Sequence, residues 1–256
     1  MDTIAGSTLD RPRHRLLRSY VLEAKYEFLR LLRTPMFSLP TLLFPAMFYL
    51  LFGVLLNRGN PAAATYLFAT YGVFGVMGAA LFGFGVTVAM DREQGFLMLK
   101  RALPMPPGSY VAAKMAMAVM FGVFVALLLA LLGAWAGGVS LRSPQWALLL
   151  LVHVAGALPF SAIGLYLGTL ASGSAAPAVV NLVYLPLSLL SGLWLPLEML
   201  PGVFGTLAPL WPPYHAGQLA LKVVGMDAGQ PVWLHVGMLA LVTAGFFLLA
   251  RTRLAR

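Results

Sequence analysis

The side chains able to make or break bonds are few in this sequence, and their spacing limits what chemistry is open to it. Of 256 residues, 8 are acidic and 17 basic, and none is cysteine. Without thiols there are no disulfides and no cysteine-ligated metal sites. Asp91 and Glu93 flank Arg92, but two carboxylates two residues apart point to different faces of a helix, a poor geometry for one shared metal. No GxxxxGK[ST] phosphate-binding loop occurs, so the chain lacks that machinery for hydrolysing ATP. A membrane hydrolase or transferase needs a base and a nucleophile, or clustered carboxylates, and no such constellation is visible. His153 is the one ionisable side chain well inside an apolar stretch; there it reads as a hydrogen bond to a neighbouring helix, as do Ser161 and Asn181.

The elements that hold these residues are apolar. Hydrophobic residues make up 60% of the chain and charged residues 10%, against about 25% charged in a soluble domain. Lipid is the natural solvent for such a composition. The expected fold is an all-α integral membrane protein of six transmembrane helices. Spans of about 20 apolar residues each are expected near 38–57, 66–90, 110–138, 145–170, 178–197 and 232–250, within a membrane domain at 38–250. Residues 1–37 form a basic cytoplasmic tail followed by an amphipathic helix. There Leu17, Val21, Ala24, Phe28, Leu31 and Leu32 recur at helical spacing, with Glu23, Glu27, Arg30 and Arg33 off that stripe. The pattern predicts a helix lying in the membrane interface and ending at Pro35. These 37 residues stay polar and basic for longer than a cleavable signal peptide would. Residues 251–256 form a basic cytoplasmic tail.

Lys114, near one end of the third span, is expected to snorkel to the interface. The second-span glycines Gly72, Gly75, Gly78, Gly83 and Gly85 read as close-packing sites. Residues 199–222 are apolar, yet Pro201, Pro209, Pro212 and Pro213 would interrupt one long helix. Two short helices entering and leaving the outer leaflet are expected there rather than a seventh span. With six spans and both termini inside, 14 of the 17 basic residues are cytoplasmic and Arg58, Arg142 and Lys222 are outside, in agreement with the positive-inside rule. The positive charge therefore suits an anionic membrane face, not nucleic acid. The proposed span interiors hold no carboxylate and no arginine, which argues against an ion-coupled secondary carrier. That carrier, and a non-transport membrane enzyme or assembly factor, are the alternative readings.

The most charged internal segment runs from Asp91 to Pro104, with acids first and bases last, as a short helix dipole favours. Pro104, Pro106 and Pro107 stop it. Asp91-Arg92-Glu93-x-Gly95, a short helix, Pro104 and then Lys114 resemble the coupling region of the type 2 ABC transporter permease family. The differences are Asp91 for the usual Glu, Phe96 for the usual Thr and Met98 for a frequent Glu. Residues 187–201, with Ser191-Gly192, Pro196 and Leu200-Pro201, resemble that family's fifth span and the turn after it, and Pro209 and Tyr214 follow where an outer re-entrant segment would lie.

The resemblance spans nearly the whole chain and implies the permease subunit of an ATP-driven exporter in the bacterial inner membrane. Its implied partners are an ATP-binding cassette ATPase chain, which holds ATP and Mg²⁺, a second permease copy, most simply an identical one, and membrane lipid. This chain itself would hold no cofactor and no metal. The resemblance puts Asp91, Arg92, Glu93, Gly95, Leu97 and Met98 in the ATPase-docking helix, and Ser191, Gly192, Pro196, Pro201, Pro209 and Tyr214 in an outer gate. It implies a path lined by the first, second and fifth spans for an amphipathic, lipid-like, drug-like or glycan cargo.

Overall fold

A computed structural model describes residues 13–102 and 108–254, and the regular structure among them is helical throughout. Residues 1–12 of the tail, Pro104, Pro106, Pro107 and Arg256 lie outside the described residues.

α1 (Arg13–Leu32) gives way at Thr34 to α2 (Pro35–Phe48), which continues as a π-helical stretch, Tyr49–Leu55. Pro35 thus ends one helix and opens the next, since a proline at the first helical position gives up an N–H that has no intrahelical partner. On α1, Glu27 from the polar side is buried, while Arg30 and Arg33 of that side and Leu17 and Val21 of the apolar stripe are exposed. Only the C-terminal part of the apolar stripe packs on the bundle, where Phe28 meets Phe121 with ring centroids 5.3 Å apart.

α3 (Pro61–Glu93) is the central element. Asn60 caps its start by accepting from the Ala63 N–H at 3.1 Å. Its 33 residues span about 50 Å at 1.5 Å per residue, longer than the ~30 Å apolar core of a bilayer. It is apolar and buried on all sides over most of its length, as a helix surrounded by others must be. α5 (Ser109–Trp135), α7 (Ala157–Leu170), α8 (Ala176–Leu190) and α10 (Pro212–Val224) pack around it. Contact with α7 is backbone to backbone. A Cβ on Gly164 would come within 2.9 Å of the Leu81 carbonyl oxygen, and one on Gly168 within 2.8 Å of the Gly85 carbonyl oxygen. Gly75, Gly78, Gly83 and Gly85 of α3 each face a neighbouring side chain, as close packing between membrane helices requires.

α4 (Phe96–Ala102) follows α3 after a turn at Gly95, whose φ of 75° suits glycine. α6 (Ser143–Ala155) and α7 make one apolar run broken at Gly156. Among the described residues, five helices are long and apolar enough to cross a membrane: Pro35–Leu55, Pro61–Glu93, Ser109–Trp135, Ser143–Leu170 and Val232–Leu254. The chain is a multi-pass membrane protein.

The fifth span expected at 178–197 is shorter than its pattern suggested. α8 ends at Leu190 after 15 residues, about 22 Å of helix. Gly192, at φ 76°, closes it: its N–H donates to the Leu189 carbonyl at 3.2 Å and the Leu193 N–H to the Ser188 carbonyl at 3.1 Å. This pair of bonds is the Schellman stop. A short 3₁₀ turn (Leu197–Met199), α9 (Gly202–Leu207) and a second 3₁₀ turn (Ala208–Leu210) then lead into α10. Residues 199–222 therefore hold two short helices, not one long one, with Pro209 and Pro212 at the break. α11 (Val232–Leu254) completes the bundle against α7 and α10.

Candidate functional site

The last turn of α3 carries Asp91, Arg92 and Glu93, and successive side chains on a helix point about 100° apart. Each addresses a different neighbour. Asp91 turns into the bundle and is 2% exposed. It accepts from Arg30 of α1 at 3.1 Å, pairs with Lys114 of α5 at 3.0 Å and accepts from the Tyr110 hydroxyl at 2.8 Å. Arg92 donates to the Gly168 carbonyl at 2.7 Å, in the last turn of α7, where carbonyls lack helical partners. The Glu93 carboxylate accepts from the Gly173 N–H at 2.6 Å, in the turn before α8. As their spacing predicts, Asp91 and Glu93 face different ways.

Lys114 does not snorkel. It is fully buried, and its Nζ lies 2.6 Å from Glu27, 3.0 Å from Asp91 and 2.6 Å from the Thr87 hydroxyl. Arg30 also reaches Glu27 at 2.9 Å. Two carboxylates and two cations from α1, α3 and α5 thus neutralise one another. A buried charge is retained only when paired in this way. Lys100 of α4 pairs with Glu23 of α1 and lies 4.8 Å from the centroid of the Tyr110 ring, and Lys114 lies 5.0 Å from the same centroid. α1 and α4 are thereby tied to the end of the central helix.

α4 turns an apolar face outward. Met98 is 76% exposed and Leu99 56%, with Phe96 beside them, while Leu97 is half-buried. Of the residues expected to dock an ATPase, Arg92, Glu93 and Met98 are exposed, and Asp91 gives its carboxylate to its own chain. Gly95 supplies the turn.

Farther along α3 two cavities open. One, of about 370 Å³, lies between α2, α3 and α8 and is lined by Phe37, Pro40, Phe44, Gly75, Gly78, Phe82, Asn181 and Tyr184, with no charged residue. Tyr184 donates to the Phe74 carbonyl at 3.1 Å across its wall. The other, of about 540 Å³, lies near the N-terminal end of α3 and is lined by Ser191, Gly192 and Tyr214 together with Tyr66, Glu198 and Gln218. Pro196, Pro201 and Pro209 do not line it; they mark the starts of the short turns around it. Between the cavities Trp194 packs on Phe48 and Phe74, with centroids 5.4 and 5.7 Å apart.

His153 bonds the Ala69 carbonyl at 2.9 Å, an interhelical contact as expected. A second histidine feature was not legible in sequence. His215 and His235 are buried with their Nδ1 atoms 2.9 Å apart, and His215 Nε2 lies 2.9 Å from the Pro209 carbonyl. A carbonyl only accepts, so His215 donates through Nε2 and accepts at Nδ1 from His235. The partners of Lys114 were missed as well, although a cation in an apolar helix signals that a carboxylate must reach it. Among the described residues no group of three or more potential ligands could hold a metal.

The sequence profile of the family described as "ABC-2 type transporter" matches residues 19–224, from within α1 to the last residue of α10. The chain belongs to the ABC-2 type transporter family. A Bacillus subtilis (strain 168) relative, "Putative transport permease YvfS", is 29% identical over 228 residues, covering 88% of this chain and 92% of the relative. This ABC-2 chain is a transport permease subunit rather than a catalytic enzyme, and the family implies an ATP-binding cassette partner. The matched region holds the Asp91–Met98 segment, the buried charge set, the whole lining of the 370 Å³ cavity and most of that of the other; all of α11 lies beyond it.

Proposed function

We propose that this ABC-2 chain is the membrane half of an exporter, powered by a separate ATPase chain that docks on α4 and holds ATP and Mg²⁺. The observation that carries the reading is the exposed Phe96–Met98–Leu99 face at the end of an over-long central helix. About 20 Å of α3 exceeds the bilayer core, so α4 stands in water, where an open apolar face marks a protein contact. The charge set and the Lys100–Glu23 pair make α4, α1 and α3 one mechanical unit. Movement of the docked ATPases is thereby transmitted to the central helix.

In this reading α8 and the turn after it make the sixth crossing, residues 191–214 form the re-entrant outer gate, and both termini are cytoplasmic in a bacterial inner membrane. A second, identical copy packs on the exposed faces of α2 and α8 and closes the 370 Å³ cavity into a path. Its uncharged, aromatic lining suits the apolar part of an amphipathic, lipid-like or drug-like cargo, or the lipid of a lipid-linked glycan.

Co-expression with the cognate ATPase chain and affinity co-purification test this. Met98→Asp with Leu99→Asp should release the ATPase without unfolding the permease, because both side chains are exposed. Loss of a buried apolar anchor costs about 2 kcal/mol, roughly a thirtyfold weakening. Wild-type retention of the ATPase by the double variant, or no ATPase bound to the unmodified chain, overturns the proposal.

A further inference from the structure

Asn181 does not bond a neighbouring helix of its own chain, against the sequence expectation. Its amide has no hydrogen-bond partner among the described residues, and it is exposed on the side of α8 that lines the 370 Å³ cavity. The two hydroxyls of that lining are satisfied: Thr41 donates to the Phe37 carbonyl at 2.7 Å and Tyr184 to the Phe74 carbonyl at 3.1 Å. α8 is apolar, and Val180 and Tyr184, on either side of Asn181, face Gly85 and Gly78 of α3. Midway between those glycines is about 14 Å along α3 from Asp91, a depth at which an amide turned to lipid goes unsatisfied. The surface around it is otherwise apolar, with Leu182 of α8 and Leu39 and Leu43 of α2 exposed. One turn away Pro177 and Ala178 are also exposed, and small residues let membrane helices approach closely. α11 offers the contrast. None of its residues lines the cavity; Val236 and Leu241 are exposed, and the Thr243 hydroxyl is satisfied by the Leu239 carbonyl at 2.7 Å. That face suits lipid, whereas the face with Asn181 needs a polar partner. An amide both donates and accepts, so it is complementary to itself. A two-fold interface sets residues near the axis opposite their own copies.

We propose that Asn181 pairs with Asn181 of a second copy of this chain across a two-fold axis, and that this amide pair fixes the register at which the two α8 helices meet. The proposal rests on the two-copy reading above and adds the residue at which the copies meet. The paired amides stand in the wall of the cavity that the second copy closes, so each copy completes the lining of the other.

The chain has no cysteine of its own, so a single introduced thiol reports one position. Asn181→Cys, Val236→Cys and Leu241→Cys are made in the full chain and treated in membrane vesicles with a short bis-methanethiosulfonate. Asn181→Cys should run as a cross-linked dimer on a denaturing gel, and the two α11 variants as monomers. Association is then measured without cross-linking, by energy transfer between donor- and acceptor-labelled copies diluted in liposomes. Asn181→Leu should weaken it about fivefold, as loss of one interhelical hydrogen bond in a membrane does, and Asn181→Gln, which keeps the amide, should retain most of it. Because Asn181 is exposed, none of these changes threatens the fold. A dimer in which Asn181→Cys does not cross-link, or cross-links no better than Val236→Cys, overturns the proposal and leaves the two-copy reading standing. So does an Asn181→Leu variant that associates as tightly as the wild type. A wild-type chain that stays single in the liposomes overturns both.

Discussion

Replacing Lys114 with Met keeps the length of the side chain and removes one cation from a closed set of two carboxylates and two cations. The loss is large because Lys114 is fully buried and serves Glu27 at 2.6 Å and Asp91 at 3.0 Å. Breaking a buried ion pair by deleting one partner costs about 3–5 kcal/mol, since the other charge is left without compensation. Arg30 still reaches Glu27 at 2.9 Å and Asp91 at 3.1 Å from a half-exposed position. It covers part of the deficit, which places the expected loss near 3 kcal/mol. Adding Glu27→Gln restores the balance, leaving Asp91 and Arg30 one to one. The double variant should therefore be more stable than Lys114→Met alone, with a coupling of about 1–3 kcal/mol. Equilibrium unfolding in mixed micelles, followed by tryptophan fluorescence, measures all four corners of the cycle. A loss under about 1 kcal/mol for Lys114→Met, or strict additivity in the double variant, would show that Lys114 reaches water and that the four charges are not coupled.

Gly72→Ala puts a methyl group into the ring of His153 and should cost about 1–3 kcal/mol in the same assay. In a His153→Ala background the same change should be nearly neutral, and an equal cost there would refute the contact. His235→Phe leaves the buried Nδ1 of His215 without its donor and should cost about 1–3 kcal/mol; an unchanged midpoint would contradict the assigned tautomers. The hydrogen bond from Lys222 holds the Asp227 carboxyl below its ordinary range. A lowered folded pKa means that the pair contributes above the ordinary carboxylate pKa and is lost as pH falls through the folded value. Carbon-13 NMR titration of Lys222→Met should show the Asp227 pKa raised, and an unmoved pKa would exclude the pairing.

Features set by local pattern were legible in the sequence. The long apolar run of α3, the small residues packed along it, the interhelical role of His153 and the prolines that divide 199–222 each depend on neighbours a few residues away or on composition. The misreadings share a different cause. Lys114 was assigned to the interface because its compensating carboxylates lie 87 and 23 residues away, and periodicity carries no information on such pairings. Glu27 sits off the apolar stripe, and its burial follows from the buried cation on α5 that it meets. The end of α8 was legible in principle, since Ser191-Gly192 is a helix-stop pair, but the apolar run continuing to Leu197 masked it.

The contacts that Asp91, Arg92 and Glu93 make within their own chain change how docking must be tested. One side chain grips α1 and α5, the next the end of α7 and the third the turn before α8. Charge reversal at Asp91 would put a cation beside Lys114 and Arg30, so a loss of export would report damaged packing as readily as lost contact with an ATPase. Met98 and Leu99 have no such partners in the charge set and lie open to solvent. A polar substitution there removes surface that a partner would bury and leaves the bundle intact. If coupling runs through α4, the two classes of variant must separate: Asp91 changes lower both stability and ATPase retention, whereas Met98 and Leu99 changes lower retention alone. Equal stability losses in both classes would place the outward face of α4 within the folded core of the permease and leave its docking role without support.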